Sequence, residues 1–295
     1  MEQLLVCPFT LTPLRALSES ELLRFHERIE AGHFYFRKGI PLNFLPKKAY
    51  TSLNQVYIFI EIDGVMLLQK QTAVVTKSHT EFPQRRLGKE VEMAFYQELM
   101  LSPEGSFQVQ GQAETAISEK ISDLEPVKQL PKTGRIFATL GTAQVDAVHN
   151  LLFGTSFQNH VHLDHEMSRL LAVAGKLKKH TTYVLCDKAQ IPVESEGIDA
   201  LLSFEFLSGL DKTTQESLFD SLRSTMNLNG VAFIINLEGK ASHVENRFKS
   251  VKSKAAFTPW KKVKLPQLLF HNITLASPPK PTAFSGKTSW GSQLS

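Results

Sequence analysis

The chain has 295 residues, 42% of them hydrophobic, and its 33 Lys and Arg against 29 Asp and Glu give a formal charge of +4. That length buries a substantial core and, at ~150 residues per domain, predicts about two units. No apolar run approaches the ~18 residues of a membrane span and no basic leader with a small-residue cleavage site opens the chain, so cytoplasmic residence is expected; the two cysteines, Cys7 and Cys186, exclude a disulfide framework or a paired-thiol motif.

Taken in order, 4–8 and 56–68 read as strands, the second folded into a hairpin by Asp63-Gly64 between two apolar runs. Between them 19–29 has the spacing of a short amphipathic helix capped by Ser18 or Ser20. A small α+β module is therefore expected over 1–75. Polar residues 76–86, with Pro83, read as a linker. The helices predicted over 88–101, with Val91, Ala94, Phe95 and Leu99 on one face, and over 113–124 complete a bridge over 76–130.

From Gly134 the pattern alternates strand and helix, the order that builds a parallel sheet with crossover helices. Strands are predicted at 135–140, 160–163, 183–186, 198–203, 231–235 and 273–276, with helices at 143–153, 166–178, 213–226 and 243–254. An α/β domain is expected over 131–277, followed by a Pro-, Ser- and Gly-rich mobile tail over 278–295. In open sheets of this kind ligands bind beyond the carboxyl ends of the strands, where the strand order reverses. The residues just past strands are Gly141, Asp164, Asp187 and Ser203, which makes them candidates. Glu205, two positions further, is a candidate general base or a solvated loop acid.

Charge is unevenly spread. From Lys240 onward ten Lys or Arg face one acid, Glu245, which leaves 23 basic and 28 acidic residues upstream. The basic region over 240–287 either meets a polyanion such as RNA or is a solvated face. Trp260, beside Lys261, Lys262 and Lys264, stacks on a base in the first case and packs at a strand edge in the second.

Residues 160–165 read His-Val-His-Leu-Asp-His. Two histidines, an aspartate and a third histidine have the chemistry to hold metal ions, and this H-x-H-x-D-H stretch resembles the metallo-β-lactamase superfamily, which implies a metallohydrolase using His160, His162, Asp164 and His165. The same residues also read as a strand, with His160, His162 and Asp164 on one face, and with Asp164 capping the helix that follows.

The α/β half resembles the class I S-adenosylmethionine-dependent methyltransferases over about 130–276. The resemblance rests on Leu140-Gly141-Thr142-Ala143 after the first strand, Asp164 after the second, and Asp187-Lys188-Ala189-Gln190-Ile191-Pro192 after the third. It extends through Gly197-Ile198-Asp199 to Ser203 and through Met226-Asn227-Leu228-Asn229-Gly230 before the fifth strand. It implies a Rossmann-like sheet, mostly parallel with helices on both faces, and S-adenosylmethionine as cofactor. By the resemblance Asp164 takes the ribose hydroxyls, Asp187 lies beside the adenine amino group, and Gly141, Thr142, Ala143 and Ser203 line the cofactor. Residues 138–145 hold one glycine and no acid where the family has spaced glycines and an acid, so the cofactor loop is degenerate. A binding or scaffold protein that kept the fold is the alternative to an enzyme.

Leu5-Val-Cys-Pro-Phe-Thr-Leu-Thr-Pro-Leu14, with Ile62-Asp63-Gly64-Val65, is similar to the zinc-ribbon-like module of the methyltransferase-activator family, found in a similar form before the catalytic domain of some rRNA guanine methyltransferases. Zinc needs four ligands. Here Thr10 stands in place of a second cysteine and no later pair exists, so the resemblance implies a module without metal and favours RNA as substrate.

Overall fold

The computed structural model describes residues 4–84, 87–100, 130–141, 155–174, 181–204, 206, 210–236 and 267–272. The expected helices at 113–124, 143–153 and 243–254, the strand at 273–276, the tail, and the candidates Thr142, Ala143, Glu205 and Trp260 lie outside the described residues.

The first residues make isolated bridges, Leu5 to Val193 and Val6 to Pro13, in place of the expected strand. Pro8 has no amide hydrogen to extend a ladder, and the chain turns back where the Leu11 amide donates to the Cys7 carbonyl at 2.8 Å. Strand β1 (Arg15–Ala16) leads into helix α1 (Glu19–Glu30). Ser18 and Glu21 form a reciprocal capping box that satisfies two of the helix's free amides, while Phe25 and Ile29 turn one face inward.

Four short strands follow: β2 (Phe34–Phe36), β3 (Ala49–Thr51), β4 (Ile58–Ile62) and β5 (Val65–Leu67). The expected hairpin joins β4 to β5, with φ of 48° at Asp63 and 82° at Gly64. Positive φ at both positions matches the right-handed twist of the paired strands, which is why Asp-Gly suits the turn. Strand β6 (Val74–Thr76) pairs with β2. Residues 77–81 pack back on the module: the Glu81 amide donates to the Arg37 carbonyl at 2.8 Å. Helix α2 (Lys89–Met100) buries Phe95 and Leu99, but Val91 is 51% exposed, so the inward stripe is narrower than expected.

The remaining elements are β7 (Thr133–Leu140), β8 (Ser156–Asp164), α3 (Met167–Val173), β9 (Thr181–Leu185), β10 (Ile198–Phe204), α4 (Lys212–Thr225), β11 (Met226–Asn236) and β12 (Gln267–Asn272). The strand order β9-β8-β7-β10-β11-β12 is parallel throughout. Counted from β7 this is the 3-2-1-4-5-6 order of the Rossmann fold, and it reverses between β7 and β10. Strand β5 extends the sheet, pairing in parallel with β9 through Val65↔Tyr183, Met66↔Val184 and Leu67↔Leu185. The N-terminal segment and the α/β half therefore share one continuous sheet.

Both faces of the sheet are covered, so the central strands are apolar on both sides. On one face Phe95, Leu99, Met167, Leu170 and Val173 pack on Phe137, Leu185, Leu202 and Phe233. On the other, Leu218, Phe219 and Leu222 of α4, with Leu4, Leu5 and Leu14, cover Ile136, Ala138, Leu163, Leu201 and Ile234. Each such side chain contributes about 1.5–3 kcal/mol on burial. At the amino end Asp199 ties three strands, accepting the Arg135 amide at 2.6 Å, the Ile136 amide at 3.2 Å and the Asn227 side-chain amide at 3.1 Å. No helix of the described residues is long and apolar enough to cross a membrane.

Candidate functional site

Parallel register brings the sequence candidates to one edge. Leu140 pairs with both Ser203 and Leu163, and Asp164 pairs with Leu185, so the tips of β10, β7, β8 and β9 lie side by side. Gly141, at the tip beside the order reversal, has φ of 88°, and its amide donates to the Leu163 carbonyl at 2.9 Å. A Cβ in that conformation is strained, so glycine is the residue the turn accepts.

Asp164 is fully buried. One carboxylate oxygen, Oδ1, accepts the amides of His165 at 2.6 Å and Glu166 at 3.0 Å. It thereby closes an Asx-type turn ahead of α3, whose N-cap is Glu166 and whose first-turn amides receive no side-chain cap, so the expected capping of this helix by Asp164 is not formed. Asp187, two residues past β9, accepts the Lys70 amide on Oδ2 at 3.1 Å. Burial raises its pKa above the usual carboxylate value, while that hydrogen bond and the Lys70 charge oppose the rise.

Ser203 is buried and its Oγ has no hydrogen-bond partner, which is uncommon in folded chains. His165 Nδ1 makes no hydrogen bond but lies 3.5 Å from Asp164 Oδ1, and its Nε2 lies 3.2 Å from Glu166 Oε1. The His165 ring stands edge-on to Phe206, 5.1 Å between centroids at 84°, so residues from beyond β8 and β10 meet across the tip of β7. Burial lowers the His165 pKa, the Asp164 charge countering part of the effect.

Sequence reasoning missed Gln69. Its Nε2 donates to the carbonyls of His165 at 3.0 Å and Cys186 at 3.3 Å. Together with the Lys70 amide, it lays the end of the N-terminal hairpin across the tips of β8 and β9. The residue leaves no sequence signal, since a lone glutamine after an apolar run is unremarkable in any loop.

The histidines of 160–165 have partners inside the fold. Thr139 Oγ1 lies 3.2 Å from His160 Nε2 and 2.5 Å from His162 Nδ1, and His160 Nδ1 lies 2.9 Å from Thr181 Oγ1. A single hydroxyl serving two rings donates to one and accepts from the other. Burial pushes the His162 pKa down to about 3, so the ring is neutral. The metal-ligand arrangement of His160, His162, Asp164 and His165 is not formed, because the first two lie within the sheet, Asp164 turns onto amides and His165 lies against Phe206. Among the described residues no three His, Cys, Asp or Glu gather as a metal site.

A cavity of about 710 Å³ lies away from these tips, near Tyr50, Met66 and Thr181. Its polar wall is engaged internally, with Glu61 accepting from Lys48 at 3.0 Å and from Tyr50 at 3.3 Å. The carboxyl edge is the better site candidate because the reversal of strand order opens it.

No protein-family model matches the sequence, and none of the curated proteins is similar to it in sequence. Among solved structures, one described as an S-adenosyl-L-methionine-dependent methyltransferase of Methanococcus maripaludis is similar at 14% identity and a TM-score of 0.32, over 48% of this chain and 70% of that one. A complex of the Haloferax volcanii Trm112 methyltransferase activator with a methyltransferase is similar at 12% identity and a TM-score of 0.33, over 54% and 67%. The geranyl diphosphate C-methyltransferase of Streptomyces coelicolor A3(2) is similar at 10% identity and a TM-score of 0.32, over 44% and 52%. Likenesses this distant bear on neither activity nor ligand. The strand order carries the assignment by itself: the chain has a Rossmann-like α/β fold with a mostly parallel sheet.

Proposed function

We propose that the chain is an S-adenosylmethionine-dependent methyltransferase acting on RNA, with the cofactor held along the carboxyl edge of β8, β7 and β10. The observation that carries the reading is the pair of acids, Asp164 and Asp187, on the tips of adjoining parallel strands next to the order reversal at Gly141. The residues fit the nucleoside half of the cofactor: Asp164 would take the ribose hydroxyls and Asp187 the adenine amino group, with Ser203 Oγ as a buried hydroxyl still lacking a partner. Gly141, and with it Thr142 and Ala143, would line the remainder. The end of β7 supplies no acid for the ammonium group, since Ala138-Thr139-Leu140-Gly141 is uncharged.

When bound, S-adenosylmethionine supplies a methyl group on a positively charged sulfur. The chain's own contribution is orientation: residues fixed on a rigid sheet edge hold the acceptor in line with that methyl group, and removing the freedom of two reactants lowers the barrier by several kcal/mol. Glu205 is proposed as the base that takes the acceptor's proton. The basic region over 240–287 is proposed to meet the RNA backbone. The hairpin is proposed to serve as a module without metal that stays in place through β5 and Gln69.

The test is calorimetry with S-adenosylmethionine and its demethylated product. The reading expects one site per chain, lost in Asp164→Ala while the protein still melts cooperatively. An absence of heat at millimolar ligand overturns it.

One observation favours a second reading, a binding or scaffold protein. Asp164 is fully buried on the amides of its own turn and Asp187 already accepts from Lys70, so both acids have partners within the chain. A folded, cooperative protein that binds neither ligand selects that reading.

A further inference from the structure

A second feature lies on the N-terminal module, on the far side of β4 from the shared sheet edge. Helix α1, β1, the turn before β4 and the end of β6 enclose a groove of about 460 Å³. Its wall on α1 carries Arg24 and Arg28, one helical turn apart and about 6 Å along the axis. A third guanidinium, Arg15, also lines it, but is spent on the groove's acid: it forms a two-pronged pair with Glu21 at 2.8 and 2.7 Å. Arg15, with the Ser18 hydrogen bonds, holds the Glu21 carboxyl down at about 2, so that acid keeps its charge and its partner.

Arg24 and Arg28 are left over. Arg24 donates Nε to the Ser20 carbonyl at 3.3 Å, which fixes the fork at its stem and leaves both terminal amino groups for a ligand. The Arg28 guanidinium carbon sits 4.7 Å from the centre of the Phe34 ring, a cation–π contact that anchors the side chain without using its hydrogens. Neither has an acidic partner among the described residues. Across the groove stand Gln55, held at a φ of 54° that non-glycine residues seldom adopt, and His79, whose Nδ1 is 2.9 Å from the Thr76 hydroxyl.

We infer that this groove binds two consecutive phosphates of a single-stranded RNA, the substrate class of the reading above, on which this inference rests. Guanidinium forks match phosphate oxygens two hydrogen bonds at a time, and a ring-anchored arginine offers its planar group to an unstacked base. An acidic peptide is the poorer fit, because it carries no base to lie on the planar Arg28 guanidinium held over Phe34.

The test is fluorescence anisotropy of a short fluorescein-labelled single-stranded RNA with the full chain, at salt between about 50 and 200 mM. Arg24→Gln and Arg28→Gln, singly and combined, are compared with Arg223→Gln, a single charge loss at an exposed position of α4. Two lost phosphate contacts should flatten the plot of log affinity against log salt by about 1.4, and affinity at the lowest salt should fall at least tenfold, since single strands give about 0.7 per contact. Arg223→Gln should leave the slope where it was. An unchanged slope in the double variant overturns the inference, as does a fall matched by Arg223→Gln or binding confined to duplex RNA. Binding of the demethylated cofactor is measured on the same samples: its retention while the RNA slope fails to respond sinks the groove alone, and its absence in every sample sinks the methyltransferase reading.

Discussion

Gln69, in the turn that leaves β5, donates its side-chain amide to the carbonyl of Cys186 at 3.3 Å, 117 positions further along the chain. The same nitrogen reaches the His165 carbonyl at 3.0 Å. One buried side chain from the hairpin therefore ties the turns that follow β8 and β9, the two strands whose tips carry Asp164 and Asp187.

Gln69→Ala is expected to cost about 1–3 kcal/mol in a denaturant titration, because two carbonyls lose their donor in a buried setting. It should also weaken cofactor binding through the loosened tips, with Asp164 and Asp187 untouched. A variant as stable as the parent would show that the two carbonyls find other donors, and that the tie is dispensable.

The turn that Asp164 closes and the cofactor contact proposed for it are separable. Asp164 Oδ1 accepts the amides of His165 and Glu166, which an asparagine oxygen also does, whereas recognition of a diol by a charged acceptor needs the carboxylate. Asp164→Asn should keep the melting temperature near that of the parent and lower cofactor affinity at least tenfold. Asp164→Ala should lose both, with about 1–3 kcal/mol of stability gone with the buried hydrogen bonds of the turn. Equal affinities for the parent and Asp164→Asn would assign Asp164 to the turn alone.

Most strands of the α/β half were legible because they are apolar runs bounded by turn residues, and because a run buried on both faces needs no alternation. Asp164 and Asp187 followed from those boundaries. The pairing of β5 with β9 was not legible: it joins positions more than a hundred residues apart, and parallel partners leave no turn between them in the sequence. Strand β12 at Gln267–Asn272 went unread since Pro266 and a flanking basic run mask its start. The histidines misled for a related reason. His-x-His on one strand face looks like a ligand pair until Thr139, from the neighbouring strand, is seen to take both rings.

Gly230 is fixed by crowding rather than by its backbone angles. A Cβ there would stand 2.9 Å from the Asn227 carbonyl oxygen and 2.9 Å from that of Ile198, and backbone atoms cannot swing aside. Gly230→Ala should destabilise the fold by about 1–3 kcal/mol, the usual cost of forcing a methyl group into packed surroundings. The damage falls where β10 and β11 begin, at the amino end of the sheet, so cofactor affinity at the carboxyl end should hold wherever the variant is folded. Denaturant titration beside calorimetry checks both halves of the expectation.

His162 makes stability depend on acid. Its pKa is near 6.5 in an unfolded chain and, through burial, about 3 in the folded one. Between those values the unfolded chain holds the extra proton, so unfolding is favoured as pH falls: the contribution is intact above about 6.5 and drains away towards about 3, at up to ~1.4 kcal/mol per pH unit. Other buried groups, His165 among them, share this direction, and a variant is needed to isolate the ring. His162→Gln keeps a polar atom for Thr139 and removes the titration. Its unfolding free energy should fall less steeply than the parent's between about pH 6 and pH 4, whatever its value at neutral pH. Parallel curves for the two proteins would mean that the ring takes up a proton within the sheet, and that the Thr139 hydroxyl tolerates a charged partner on its short side.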